Sequence, residues 1–264
     1  MRYNRVVVKV GTSTLTHETG ALNLERMDAL IRTLNDLMNG GTEVILVSSG
    51  AIGAGVGRAK LPGRPASLRE KQAAAAIGQC SLIHIYDKLS SEYGHGVAQL
   101  LLTALDLSEP VRRENVRKTL DTLIGWGVLP IINANDAVST EEIETPQDKI
   151  FSENDTLSAL VAVTAEADLL VLLTDIPGLY DADPRANPDA KLIARVSAVT
   201  PQLRAACSGA GTHRGTGGMI TKLDAGVMAL RHGIDMIITH GENPAALYDA
   251  VYGRRPVGTL FSNT

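Results

Sequence analysis

Residues 6–10 read Val-Val-Val-Lys-Val, and no other stretch limits the fold so tightly. β-Branched side chains crowd a helix but pack well on a pleated surface. An apolar run without polar alternation suits a strand covered on both faces, as in a parallel sheet. Lys9 lies inside that run. An ammonium buried without a partner is costly, so Lys9 must either point out of the sheet's end toward an anion or pair with a carboxylate. Gly11-Thr12-Ser13-Thr14 follows. Glycine there allows close backbone approach, and the amides of Thr12 and Ser13 can face a phosphate. An edge lysine before an ordinary turn would produce the same pattern.

The rest of the chain alternates strands of this kind with helices. Residues 22–39 place Leu24, Met27, Leu30, Ile31, Leu34 and Leu37 at helical spacing, and Gly40-Gly41 ends the helix. Residues 43–47 form a strand that opens into Ser48-Ser49-Gly50 and a glycine-rich helix start. Ser49 and Gly50 stand at the strand's end, where backbone amides favour anions. Gly53 and Gly55 lie deeper and suit close helix–sheet packing equally well. Residues 68–92 form a long alanine-rich helix for core packing or subunit contact, and residues 97–102 a strand. A helix over 110–124 and a strand over 128–133 lead into Asn133-Ala134-Asn135-Asp136. Polar clusters at the carboxyl ends of parallel strands are where open α/β sheets bind ligands, although Asn and Asp also build turns unaided. Residues 138–151 are polar and read as a loop or short hairpin. Asn154 and Asp155 then precede a helix over 156–165; capping explains one of them but not both.

The second half repeats the theme. A buried strand over 168–174 ends in Thr174-Asp175, and shorter elements follow at 191–196 and 200–207. The glycine-rich stretch 209–222 flows into a helix reaching residue 231, then a strand over 234–239, a helix over 244–251 and a closing strand over 257–261. Strands alternating with helices and few hairpin signals predict an α/β fold, a three-layer αβα sandwich around a central, mostly parallel sheet.

Composition removes several function classes. Net charge is −4, which argues against a general nucleic-acid binder or membrane-surface binder. Aromatic residues are only 3%, too few for base-stacking platforms, so aliphatic side chains must build the core. Cys80 and Cys207 are far apart and imply neither a disulfide framework nor a zinc site, which suits a reducing cytoplasm. The N-terminus reaches Lys9 too soon for a signal peptide, and the longest apolar run, residues 157–173, is broken by Glu166 and Asp168.

Two anion-type loops remain, one in each half of the chain. Residues 215–222 place glycine amides at a helix start with Lys222 one turn in. This is not a Walker A loop, because no Gly-Lys pair occurs in the sequence, and the protein-kinase motifs are absent. Lys9 and Lys222 could clamp a transferring phosphoryl group from two sides, which is mostly what phosphoryl transfer requires. Two clustered lysines repel, so a carboxylate between them is expected, and Asp155 is the best candidate.

These residues carry a resemblance. Val8-Lys9-Val10-Gly11-Thr12-Ser13, Ser48-Ser49-Gly50-Ala51-Ile52, Glu70-Lys71-Gln72-Ala73-Ala74-Ala75, Ala98-Gln99-Leu100-Leu101-Leu102-Thr103, Asn154-Asp155 and the blocks 133–138, 172–187, 215–222 and 258–261 resemble the glutamate 5-kinases of the amino acid kinase superfamily, in the family's order along the whole chain. The resemblance implies the amino acid kinase fold and ATP-dependent phosphorylation of the γ-carboxylate of L-glutamate, the first step toward proline. It implies catalytic roles for Lys9, Asp155 and Lys222. Glutamate would be held by Ser49, Gly50, Asn133, Asp136 and Asn154, with Asp136 facing the substrate ammonium. ATP would lie along Lys9, Gly11, Thr174, Asp175, Thr216, Gly217, Gly218, Met219, Ile220, Thr221 and Lys222, with Mg²⁺ bridging its phosphates and no protein ligand of the metal assigned. It further implies a single kinase domain, residues 1–166 serving the amino acid and 167–264 serving ATP. A homodimer or homotetramer, feedback by proline, a cytoplasmic location and no C-terminal PUA domain are also expected. The alternatives are a kinase of another amino acid, carbamate or a nucleoside monophosphate on the same fold, and a non-catalytic ATP or amino-acid sensor, which predicts loss of Lys9, Asp155 or Lys222, whereas all three are present. The chain departs from the family at Ala134, where glutamate is usual, at Ser152-Glu153, where Gly-Asp is usual, and in a longer loop over residues 140–151.

Overall fold

The computed structural model describes residues 3–17, 19–138, 154–182, 184, 187, 189–207 and 218–263. Among the described residues, eight strands form one sheet: β1 (Arg5–Val10), β2 (Glu43–Ser48), β3 (Val97–Leu102), β4 (Leu129–Ala134), β5 (Leu169–Thr174), β6 (Arg195–Val196), β7 (Asp235–His240) and β8 (Thr259–Phe261). Their order is β3-β4-β2-β1-β5-β7-β8-β6, and β7–β8 is the one antiparallel pair among them. The valine strand β1 therefore lies at the centre, paired in parallel with β2 and β5.

Side chains alternate between the faces of a strand, so β1 feeds two cores. Val6, Val8 and Val10 pack on the face covered by α2 (Leu24–Asn39), α3 (Ala51–Ala59), α4 (Leu68–Glu92) and α10 (Ala246–Tyr252). Val7 packs on the opposite face with Leu157 and Val161 of α7 (Asn154–Thr164) and Leu223 and Ala225 of α9 (Met219–Arg231). Lys9 shares the parity of Val7 and so projects toward the α7 and α9 layer. The remaining helices among the described residues are α1 (Thr12–Leu15), α5 (Ala104–Ser108), α6 (Pro110–Gly125) and α8 (Pro201–Cys207). This is the three-layer sandwich expected from the sequence, and the bounds of α4 and β3 match those read from it.

The structure revises several details. α7 starts at Asn154, so Asn154 and Asp155 occupy its first turn rather than preceding it. Gly55 does not pack against the sheet. A Cβ on it would lie 1.8 Å from the Ala74 carbonyl oxygen, and one on Gly78 would lie 1.7 Å from that of Ala51, so α3 and α4 touch backbone to backbone. Gly53 faces the methyls of Thr12 and Thr16. The closing strand is shorter than residues 257–261 because Gly258 breaks it with a φ of +57°. Among the described residues, no helix is long and apolar enough to cross a membrane.

Candidate active site

Crossover connections place the N-termini of α7 and α9 beside the carboxyl ends of the parallel strands, the end where such sheets bind ligands. Asp155 lies in the first turn of α7 and Lys222 in the first turn of α9. Lys9 reaches the same point from β1. One Asp155 oxygen, Oδ1, lies 2.6 Å from Lys9 Nζ, and the other, Oδ2, lies 3.0 Å from Lys222 Nζ. All three are buried, with Asp155 only 2% exposed. Burial pushes the Asp155 carboxyl up, but the two ammonium groups outweigh it and hold the carboxyl well below the usual carboxylate range. The charged form of this carboxyl is therefore the favoured one.

The strand ends beside it supply polar groups. Asn154, next to Asp155, donates from Nδ2 to Ser49 Oγ at 2.8 Å. Its Oδ1 is buried and has no hydrogen-bond partner. Gly50 holds a φ of +94°, a left-handed conformation that suits glycine, and it turns β2 into α3 directly after Ser49. Asn133 is the penultimate residue of β4; its Oδ1 accepts the Ala134 amide at 2.9 Å, while Nδ2 is buried without a partner. Desolvation pushes the Asp136 carboxyl up to about 6. A buried acceptor, a buried donor and a desolvated carboxyl together suit a zwitterionic ligand.

On the other side, Thr174 ends β5 beside β1 and donates from Oγ1 to Asp175 at 3.0 Å. Gly11 has φ −83° and ψ 160°, which any residue adopts, so its conformation does not call for glycine. What it omits is a side chain: a Cβ there would stand 3.8 Å from Lys9 Nζ. Gly218 caps α9 with extended backbone. Met219 and Ile220 are half-buried and pack against the core. Thr221 donates from Oγ1 to Asp155 Oδ2 at 2.8 Å, a contact the glycine-rich motif alone did not suggest. Thr216, Gly217, Ser152, Glu153 and the loop over 140–151 lie outside the described residues. Sequence reading also missed the buried pair of Ser48 Oγ and Tyr86 Oη, 2.9 Å apart, which ties α4 to the end of β2 just before Ser49. A lone tyrosine in an alanine-rich helix was the only signal for it.

The amino acid kinase family model matches residues 4–240. Glutamate 5-kinase of Clostridium perfringens is 51% identical over 257 residues, covering 97% of this chain and 94% of that protein. Glutamate 5-kinase of Clostridium acetobutylicum is 49% identical over 258 residues, covering 98% and 94%. That of Caldanaerobacter subterraneus is 51% identical, and the aligned region covers 67% of its longer chain. The crystal structure of UMP kinase from Bacillus anthracis matches with a TM-score of 0.62 at 16% identity, covering 100% of this chain and 97% of that one, a likeness of fold alone. On the family match and the identity to these relatives, the chain belongs to the amino acid kinase family and, within it, to the glutamate 5-kinases.

Proposed function

We infer that this chain transfers the γ-phosphoryl group of ATP to the γ-carboxylate of L-glutamate, giving L-glutamyl 5-phosphate and ADP, the entry to proline biosynthesis. The observation that carries the reading is a single buried carboxylate, Asp155, holding Lys9 and Lys222 in one cluster at the carboxyl ends of the strands. The acceptor carboxyl of free glutamate titrates near about 4.3 and is ionised at neutral pH, so no general base is needed. What must be overcome is repulsion between two anions. A glutamate γ-oxygen attacks the γ-phosphorus, the bond to the β,γ-bridging oxygen breaks, and ADP leaves with the electron pair. Lys9 and Lys222 neutralise charge on the oxygens of the phosphoryl group in transit. Asp155 fixes the distance between them.

Ser49, Gly50, Asn133, Asp136 and Asn154 hold glutamate. Asp136 and the free Oδ1 of Asn154 face its ammonium, and Nδ2 of Asn133 faces its carboxylate. Thr174, Asp175, Gly11 and the backbone of residues 218–222 line ATP. Mg²⁺ would come with the nucleotide, since such ions are held mainly by substrate phosphates and waters, and Asp155 is engaged by the lysines. The ion would screen the phosphate charges. The sheet order supports a division of labour, with β1–β4 on the amino-acid side and β5–β8 on the nucleotide side. The enzyme works in the cytoplasm, where ATP is, as a homodimer or homotetramer under proline feedback; the half-exposed outer face of α4, including Ile77, supports the assembly.

The test is ATP consumption measured in parallel with glutamate, aspartate, carbamate and UMP. Turnover with glutamate well above the others is expected. Turnover with another acceptor but not glutamate would overturn the reading.

A further inference from the structure

Asp155 has a third donor besides the two lysines. Thr221 Oγ1 lies 2.8 Å from Asp155 Oδ2, the same oxygen that Lys222 Nζ approaches at 3.0 Å. The same hydroxyl lies 2.8 Å from the carbonyl oxygen of Gly218. A hydroxyl has one proton to give, and both neighbours are acceptors. An ionised carboxylate is the stronger acceptor, so the proton goes to Asp155, and the Gly218 carbonyl marks its alternative seat. The Thr221 side chain is thus turned toward the cluster, while its backbone remains in the first turn of α9.

This contact solves a problem that the lysine cluster creates. In the resting cluster both ammonium groups are committed to Asp155. To stabilise a phosphoryl group they must turn part of their hydrogen bonding to its oxygens. Asp155 would then lose donors at the moment its position matters most, in a site where an under-bonded carboxylate is costly. A neutral hydroxyl is not drawn to the phosphoryl group as the cations are, so it can stay with the carboxylate throughout. We propose that Thr221 is a positioning residue, whose hydroxyl holds the Asp155 carboxylate in place while Lys9 and Lys222 engage the transferring group. The proposal rests on the kinase reading given above. It assigns the side chain of Thr221 to the reaction step rather than to substrate affinity.

The experiment is steady-state kinetics of the full chain with varied glutamate and varied ATP, for Thr221→Val, Thr221→Ala and Thr221→Ser. Valine keeps the shape and removes the hydroxyl; serine keeps the hydroxyl and removes the methyl. Thr221→Val is expected to lower kcat by about tenfold to a hundredfold, with both KM values within about threefold of wild type. Thr221→Ser is expected to retain most of kcat. Should Thr221→Val not fold, Thr221→Ala must show the same loss of kcat against the serine variant. A hydroxyl-free variant with wild-type kcat would overturn the proposal, as would a loss confined to KM for ATP. A wild-type protein that does not turn over glutamate overturns the kinase reading instead, so the two failures are distinct.

Discussion

Asp155→Asn removes the charge at the centre of the cluster while keeping its size. Asn can still accept from one lysine, but its amide NH₂ then faces the other. Lys9 and Lys222 are 8% and 7% exposed, so water cannot take over the role of the carboxylate. Breaking a buried ion pair by removing one partner costs about 3–5 kcal/mol, because the remaining charge is left uncompensated. With each kcal/mol worth about 2–4 °C in a chain near this size, the unfolding midpoint should fall by roughly 6–20 °C at neutral pH. The pH dependence has a definite sign. The Asp155 carboxyl is depressed in the folded state, so its contribution is complete above the ordinary carboxylate range and is lost as pH falls. The gap between wild type and variant should therefore be full at pH 7 and shrink on acidification below about pH 4. Adding Lys222→Met to the variant removes one of the stranded cations, so the double variant should be more stable than the sum of the single effects. Thermal unfolding across pH, with kcat measured on the same preparations, decides the matter. An Asp155→Asn protein that melts with wild type at pH 7 and keeps its kcat would refute the idea that this carboxylate organises the lysines.

Other expectations follow from the same geometry. Lys222→Ala should lower kcat by about a hundredfold or more while KM changes little, since it removes a contact made to charge in the transition state; steady-state kinetics shows the split. The Asp136 carboxyl, raised by desolvation to about 6, must be ionised to meet an ammonium. Hence kcat/KM for glutamate should be about tenfold lower at pH 5 than at pH 8, and Asp136→Asn should flatten the profile at a low level. Gly78→Ala would put a Cβ 1.7 Å from the Ala51 carbonyl, and urea unfolding should show a loss on the order of 3 kcal/mol despite the gain in helix propensity. Gly125→Ala, with nothing within 4 Å of the new Cβ, is the control and should be neutral or slightly stabilising.

Much of the fold was legible because its strands are apolar runs and its helices are punctuated by glycine and proline. The 25-residue helix α4 was bounded from its alanine-rich run, and the structure adds a capping box of Ser67 and Glu70 at its start. The short helices α1 and α5 were not foreseen, since four or five residues carry no periodicity. The contact of α3 with α4 through Gly55 and Gly78 was also hidden. A glycine announces that something comes close, but its partner is named only when the chain is folded. The antiparallel setting of β8 was missed for a related reason: its three residues record no direction.

The site shows the same division between what a sequence states and what it leaves to packing. Lys9 was conspicuous because a charge inside a valine run demands an explanation, and the need for a carboxylate near two lysines follows from electrostatics alone. Which face Lys9 takes follows from strand parity: Val7 and Lys9 share a side, and α7 and α9 are among the helices that cover it. Both helices begin near the carboxyl ends of the strands, so Asp155 and Lys222, each in a first turn, arrive at the height where Lys9 ends. A carboxylate in a first turn also gains from the helix dipole, whereas a lysine there is opposed by it. Lys222 is held at that unfavourable position by Asp155, and an anion bound beside it would offset the cost of placing a cation at a helix N-terminus. Thr221 fits this account as the donor that is indifferent to the exchange. The valines of β1 set where the exchange happens, because a strand buried on both faces gives Lys9 no freedom to retreat.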